Sequence, residues 1–384
     1  MPRPLRVLAI GHPYVVAMNR SVLREIASDG GFEVTVAAPL YHHGDLRRLR
    51  LEPEPSSSKL RTVGINAHLT RFPHIFFYDK TELNALISKG GFDVVQAWEE
   101  PFVYAGYQVA TSVEGGHARF CFRTDQNYVK RYPPPFSCFE KRVLQRTQGW
   151  IAGGKLVYQA MLERNYPSDT GWILDAAVDL EAFRPATTEE RNQVRSELAL
   201  SGPVIGFVGR LTKAKGLEVL TQALDQIIDK DWALLILGSG PYKHEVQRWS
   251  LERGLAKRVR ILLANHEEVP RYLRAMSMLV VPSQTTKNWR EQFGRVIIEA
   301  FASGIPVIGS DSGEIPRVIG EAGKIVGEAD LQGWANAIVS LLDEDVLRAR
   351  LSSLGLRRAQ DFSVVRLGQQ YREYYSWLAK QPLN

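Results

Sequence analysis

Two stretches in the second half of the chain gather residue types suited to holding a polyanion. The first is Gly209-Arg210-Leu211-Thr212-Lys213-Ala214-Lys215-Gly216, which follows the apolar run 203–208. A glycine at a strand end lets backbone approach a ligand closely. The free N–H groups and dipole of a following helix then favour an anion. A forked Arg210 beside the point charge of Lys215 suits a diphosphate, with Lys213 left as the solvated member. Taken alone, the segment also reads as a solvated basic turn. The second stretch runs from Glu291 to Pro306, with seven residues between Glu291 and Glu299. Glu291 sits in a loop, and Glu299 lies a turn or more into a helix whose apolar face is Val296, Ile297, Ala300 and Phe301. Two carboxylates so separated can accept hydrogen bonds from hydroxyls at opposite ends of one molecule. Phe293 and Gly294 would expose backbone N–H groups at the helix start. Gly304 is a helix stop. A surface Glu pair flanking a core helix is the plainer alternative.

These residues need strand ends to hold them. Short apolar runs without strict alternation, separated by helical patterns, predict parallel sheets covered on both faces. In the first half the strands are 5–10, 33–38, 93–98, 119–123, 149–152 and 172–174, with helices at 17–29, 81–89, 102–113 and 156–164. The pattern restarts with strands 203–208, 232–237, 259–262, 278–281 and 306–309, and a helix at 216–229. The fold class is therefore α/β, with two Rossmann-like doubly wound parallel-sheet domains facing across a cleft. The boundaries are 1–183, 184–362 and a final helical piece 363–384, with the linker in the polar stretch 183–190. Ligands bind such sheets at the carboxyl ends of the strands, which is where the motifs fall.

In that order and context the segments resemble glycosyltransferase family 4, a retaining family of the GT-B fold. The resemblance rests on Gly209-Arg210 with Lys215-Gly216, Gly238-Ser239-Gly240-Pro241, Val281-Pro282-Ser283, the Glu291/Glu299 pair, and Ser310-Asp311-Ser312-Gly313-Glu314-Ile315-Pro316. It covers most of the second domain and, more weakly, the first. It implies that Arg210 and Lys215 grip the donor diphosphate and offset charge growing on the leaving phosphate. It implies that Glu299 binds the donor ribose, and that Glu291 faces the transferred sugar with Phe293 and Gly294 beside it. Gly209, Gly240 and the backbone of His266 would complete the donor site. As a lone polar-loop residue, His266 also reads as merely exposed. The resemblance further implies packing of the last helix, 364–378, on the first domain. It implies no metal or other cofactor, only a nucleoside diphosphate sugar as co-substrate.

The first domain departs from the family pattern. Strand 5–10 runs into Gly11-His12-Pro13-Tyr14, with one glycine where a glycine-rich loop is usual. Gly11 can still approach the donor, and His12 reads either as an acceptor contact or as a plain loop residue. After strand 119–123 the family commonly has a His, whereas this chain reads Arg123-Thr124-Asp125-Gln126-Asn127. Asp125 occupies that place and could take an acceptor hydroxyl proton or bond the sugar; an Asx turn or helix cap is the alternative. Asp175-Ala176-Ala177-Val178-Asp179 stands where an Asn-Gly pair is frequent.

Composition bounds the partners. The chain has 384 residues, 45% hydrophobic and 23% charged, with net charge +6, an ordinary globular make-up that favours anionic partners. Arg47, Arg48, Arg50, Lys59, Arg61 and Arg71 fall in one loop-like stretch, which reads either as a solvated basic surface or as a contact for an anionic membrane surface. Aromatic residues do not interleave with these charges as nucleic-acid stacking requires. The two cysteines, Cys121 and Cys138, read as buried free thiols in a reducing cytosol. The first apolar run is too short for a signal core or membrane span, so the expected location is cytoplasmic, at most peripheral at the inner membrane face. Asp343-Glu344-Asp345 superficially matches an acidic metal motif but reads as a solvated helical face. No Ser-His-Asp order, zinc spacing or Walker loop is present.

The leading expectation is a metal-independent retaining glycosyltransferase with a UDP- or GDP-sugar donor and a glycan, lipid-linked or small-molecule acceptor. A sugar-nucleotide epimerase or hydrolase of the same fold is the first alternative, since Asp125 could serve as acid or base. A non-catalytic sugar-nucleotide-binding subunit is the second. A hydride-transferring dehydrogenase is disfavoured because the first loop lacks Gly-x-Gly-x-x-Gly.

Overall fold

A computed structural model describes residues 3–44 and 48–383 and divides the chain into two compact units. The first comprises residues 1–175 and 364–384, and the second 176–363.

The first unit is built on a seven-stranded sheet in the order Gly171–Ile173, Gly149–Ala152, Arg119–Thr124, Val94–Ala97, Leu5–Ile10, Phe32–Pro39, Arg61–Ile65. Every pairing in it is parallel. Its strands are apolar runs because both faces are covered, and Val94–Ala97 and Gly149–Ala152 are buried throughout. Strand order reverses beside Leu5–Ile10: the chain goes out to Phe32–Pro39 on one side and returns to Val94–Ala97 on the other. Asp79 opens helix Lys80–Gly90 by accepting hydrogen bonds from the Thr81 and Glu82 N–H groups, a cap worth about 1 kcal/mol.

Helix Val364–Leu378 closes the face of this sheet. Tyr371, Tyr374, Tyr375 and Leu378 are buried there with Val7, Ala9, Cys121 and Ile151. The hydroxyls of Tyr371 and Tyr375 are satisfied as well as their rings. Tyr375 donates to Gln96 Oε1 (2.8 Å), and Gln96 Nε2 donates to the Tyr14 hydroxyl (2.9 Å). Arg123 Nη1 donates to the Tyr371 hydroxyl and to the Leu174 carbonyl, both at 2.8 Å.

The second unit holds a six-stranded sheet in the order Val259–Leu262, Ala233–Leu237, Val204–Val208, Met278–Val281, Val307–Ser310, Lys324–Val326, again parallel. Its reversal lies between Val204–Val208 and Met278–Val281. The unit's first helix, Thr188–Glu197, carries a reciprocal capping box between Thr187 and Glu190.

Several expectations need correction. The dividing point lies at Asp175/Ala176 rather than within 183–190, because Val178 and Phe183 are buried in the second core and the Val178 N–H bonds the Phe362 carbonyl at 2.8 Å. The predicted helix 17–29 begins as a 3-10 turn, Ala17–Arg20, and is α-helical only over Ser21–Ser28. The basic stretch is not all loop. Arg48–Arg50 pairs with Tyr41–His43 as a short antiparallel ribbon, and Arg61–Ile65 is an edge strand of the main sheet; Arg47 lies outside the described residues. Cys121 is buried, but Cys138 is exposed on helix Phe136–Arg146. Glu344 is the joint between helices Leu331–Asp343 and Asp345–Gln360 rather than a point on one helical face.

Candidate active site

In the second unit the motif segments converge at the strand reversal. Loops 209–211 and 238–240 lie backbone against backbone. The Leu211 N–H bonds the Ser239 carbonyl at 2.9 Å, and a Cβ on Gly238 would sit 1.9 Å from the Gly209 carbonyl oxygen. Arg210 is exposed at the end of Val204–Val208. Lys213 is solvated, with only a loose 3.6 Å ion pair to Glu218. Lys215 turns instead to Glu291, its Nζ 2.7 Å from Oε2, and lies 4.8 Å from the Trp289 ring centroid. Ser283 Oγ donates to the same Glu291 oxygen at 2.7 Å. The Glu291 carbonyl accepts from the Glu314 N–H (3.2 Å), and a Cβ on Gly313 would lie 2.0 Å from it. Gly313 has φ +56, so the loop requires glycine for both space and backbone conformation. Lys215, Ser283, Glu291 and the 312–314 turn thus form one joined cluster around a buried carboxylate.

Gly294 caps helix Arg295–Ala302 in the left-handed conformation, directly after the buried Phe293 ring. Glu299 lies one turn into that helix and is buried, which pushes its carboxyl up to about 7 against the pull of Arg295. Gly240 is pressed against Leu211, and a Cβ there would meet its carbonyl oxygen at 2.4 Å. His266 is exposed, in the turn leading to helix Val269–Leu273, with its carbonyl accepting from the Val269 N–H.

In the first unit, the strand reversal presents Gly11-His12 from one strand end and Trp98-Glu99-Glu100 from the next. Gly11 is needed there for room, since a Cβ would stand 2.9 Å from the Trp98 carbonyl oxygen and Cβ. Glu99, buried, takes the His12 N–H on Oε1 (2.7 Å) and His12 Nδ1 on Oε2 (2.7 Å), while the Tyr78 hydroxyl donates to Oε1 at 2.7 Å. His42 stacks on His12 at 4.6 Å. Burial opposes charge on His12, but Glu99, aided by Glu100 and Asp125, outweighs it and holds the imidazole above its ordinary value. Burial and the neighbouring His12 push His42 down to about 4. Asp125 accepts from Trp98 Nε1 (2.8 Å) and Arg123 Nη2 (3.3 Å), and its N–H donates to Glu100 Oε1 (2.8 Å). Burial raises Glu100 to about 7.

His12 and Asp125 therefore share one polar neighbourhood, through Trp98 and the two glutamates. Sequence reading missed Glu99 and Glu100. Their signal was available as adjacent carboxylates immediately past an apolar strand. Among the described residues, no group of three or more His, Cys, Asp or Glu is placed to hold a metal ion, and no helix is long and apolar enough to cross a membrane.

Residues 202–344 match the family model described as Glycosyl transferases group 1. A D-inositol 3-phosphate glycosyltransferase of Corynebacterium efficiens is 32% identical over 56% of this chain and 54% of the relative. The chain spans about half the length of the curated relatives it matches first. Among solved structures, a glycosyltransferase of Rickettsia africae is similar over 99% of this chain and 100% of its own, with TM-score 0.80 at 17% identity. Anabaena HepE, solved in complex with UDP-glucose, is similar over 97% and 100% of the two chains, with TM-score 0.72 at 16% identity. These likenesses identify the fold of the two units as that of GT-B glycosyltransferases.

Proposed function

We propose, from the premise that residues 202–344 belong to the Glycosyl transferases group 1 family, that the chain transfers a sugar from a nucleoside diphosphate donor to a hydroxyl acceptor. The observation that carries the reading is the joined cluster of Lys215, Ser283, Glu291 and the 312–314 turn at the reversal of the second sheet. A helix-start loop with an exposed Arg210 and a lysine held against a buried carboxylate suits a diphosphate bonded to a polyol. Arg210 and Lys215 bind the diphosphate and stabilise charge on the leaving oxygen, so the reaction needs no metal. Glu299 takes the ribose hydroxyls and Glu291 the transferred sugar, with Phe293, Gly294, Gly209, Gly240, His266 and Gly11 counted among the donor-binding residues. Asp125 and His12 serve the acceptor. We assign retention of anomeric configuration.

UDP is the first donor nucleotide to test, because HepE was solved with UDP-glucose. The test is a thermal-shift screen of UDP, GDP, ADP and their sugar conjugates, in which a bound ligand raises the midpoint. Arg210→Ala and Lys215→Ala each remove a charge-assisted contact worth about 1.5–3 kcal/mol and should weaken donor affinity about 10- to 100-fold. Unchanged affinity and turnover in both variants would sink the assignment.

We extend the proposal to an acceptor presented at an anionic membrane surface. Exposed Leu69, Phe72 and Ile75 stand near exposed Arg71 on one loop of the first unit, and Arg48 and Arg50 are exposed on the ribbon. Flotation with anionic vesicles tests it.

A further inference from the structure

Trp289 stands in the cluster of the second unit without a part in the function proposed above. Backbone contacts fix where the neighbouring Lys215 begins. The Gln284 N–H donates to the Ala214 carbonyl at 2.8 Å, and a Cβ on Gly216 would meet the Pro282 carbonyl oxygen at 1.7 Å. The 3-10 turn Lys213–Lys215 is therefore pressed against the segment that follows strand Met278–Val281. Trp289 is fixed as well. The Thr286 N–H donates to its carbonyl at 2.7 Å and closes a tight turn, while the Thr285 N–H donates to Glu328 Oε2 at 2.6 Å. The indole between these anchors is half-buried, and its ring centroid lies 4.8 Å from Lys215 Nζ, within cation–π range.

Lys215 thus has two partners of different kinds. Glu291 Oε2 takes one of its N–H groups at 2.7 Å. The ring takes none, because a π face attracts the whole charge rather than one hydrogen, so the other donors stay available for phosphate oxygens. The Lys215 side chain is 20% exposed and that of Glu291 9%, and such partial shelter strengthens the attraction of ring for cation. With the carboxylate as its sole partner, Lys215 would face a conflict. Glu291 turns to a sugar hydroxyl by loosening Lys215, and an ammonium released on a flexible four-carbon stem loses its aim.

Resting on the donor-binding reading above, we infer that Trp289 is a positioning residue whose ring face holds the Lys215 ammonium for the diphosphate while Glu291 exchanges that ammonium for the sugar. It acts through Lys215 rather than on the phosphate or the sugar. All the groups it needs belong to the second unit.

The experiment measures binding of UDP and of UDP-glucose by titration calorimetry to wild type, Trp289→Leu, Trp289→Phe, Lys215→Met and the double variant of Trp289→Leu with Lys215→Met. Leu keeps an apolar side chain and removes the π face, so UDP should bind about 5- to 10-fold more weakly. Phe restores a face and should lose no more than about threefold. In the Lys215→Met background the Leu change should cost less than about twofold, because the cation it acts on is gone. Melting midpoints without ligand check that the half-buried site accepts the change. Should the Leu protein not fold, ring-fluorinated tryptophan weakens the π face at nearly constant shape. Labelled wild type should then lose UDP affinity, and labelled Trp289→Phe should match its unlabelled form. Unchanged UDP affinity in Trp289→Leu, or in labelled wild type, would overturn the positioning role and leave the donor-binding reading standing. So would an equal loss with and without Lys215, or a loss for UDP-glucose with none for UDP. A wild-type chain that binds neither ligand would overturn both.

Discussion

Glu299 illustrates how burial sets the protonation of a single side chain. Its ordinary value of 4.5 rises to about 7 because the carboxyl is buried. The folded chain therefore holds that proton more tightly than the unfolded chain does. Its contribution is fully present below about pH 4.5 and is lost as pH rises through about 7. Glu299→Gln should leave stability at about pH 4 nearly unchanged and raise it at about pH 8 by up to ~3 kcal/mol. Denaturant melts at the two pH values check this, and equal stability of both proteins at the higher pH would show that the carboxylate is not destabilising. The Lys215–Glu291 contact belongs to the same scale. Residue types and order pointed to both side chains, but not to their direct bond, because the strand reversal that joins them is a property of the sheet. Glu99 escaped notice for a similar reason: its neighbour His12 is 87 positions away in the chain.

At the scale of elements, long apolar segments were legible in the sequence. Strands Leu5–Ile10, Gly149–Ala152, Val259–Leu262 and Met278–Val281 have the bounds that their hydrophobic runs suggest. The ribbon Tyr41–His43 with Arg48–Arg50 and the pair Ala67–His68 with Phe77–Tyr78 were not, since two- and three-residue strands bury too little to imprint a pattern. Arg61–Ile65 was hidden because an edge strand tolerates exposed polar residues. These elements carry the membrane prediction. Anionic vesicles should float the protein at low salt, with binding falling steeply as salt rises. Phe72→Asp with Arg71→Glu should abolish flotation while leaving UDP binding intact. Flotation by that double variant equal to wild type would end the membrane reading.

For the whole molecule, the first unit is made from both ends of the chain, and the second from one continuous piece. Tyr374, Tyr375 and Leu378 have no exposed surface, and Gly149 is a glycine partly because a Cβ would stand 2.6 Å from the Tyr374 hydroxyl. Truncating one such aromatic to alanine costs about 3–5 kcal/mol, a large share of a domain's stability. Tyr375→Ala should therefore lower the first unit's unfolding midpoint sharply while the melt of residues 176–363 stays in place. Two-transition calorimetry, with UDP added to mark the second unit, reads both. A single unshifted melt would show that the helix is not needed.

The same arrangement sets an order of events during synthesis. Residues 176–363 can collapse around their own core as soon as they leave the ribosome. The earlier-made sheet must wait, one face uncovered, until helix Val364–Leu378 emerges and returns to it. A nascent protein interrupted just after Ser363 would carry a finished second unit and an unfinished first one, and cellular quality control would meet it as a client for chaperones rather than as a shortened, folded protein.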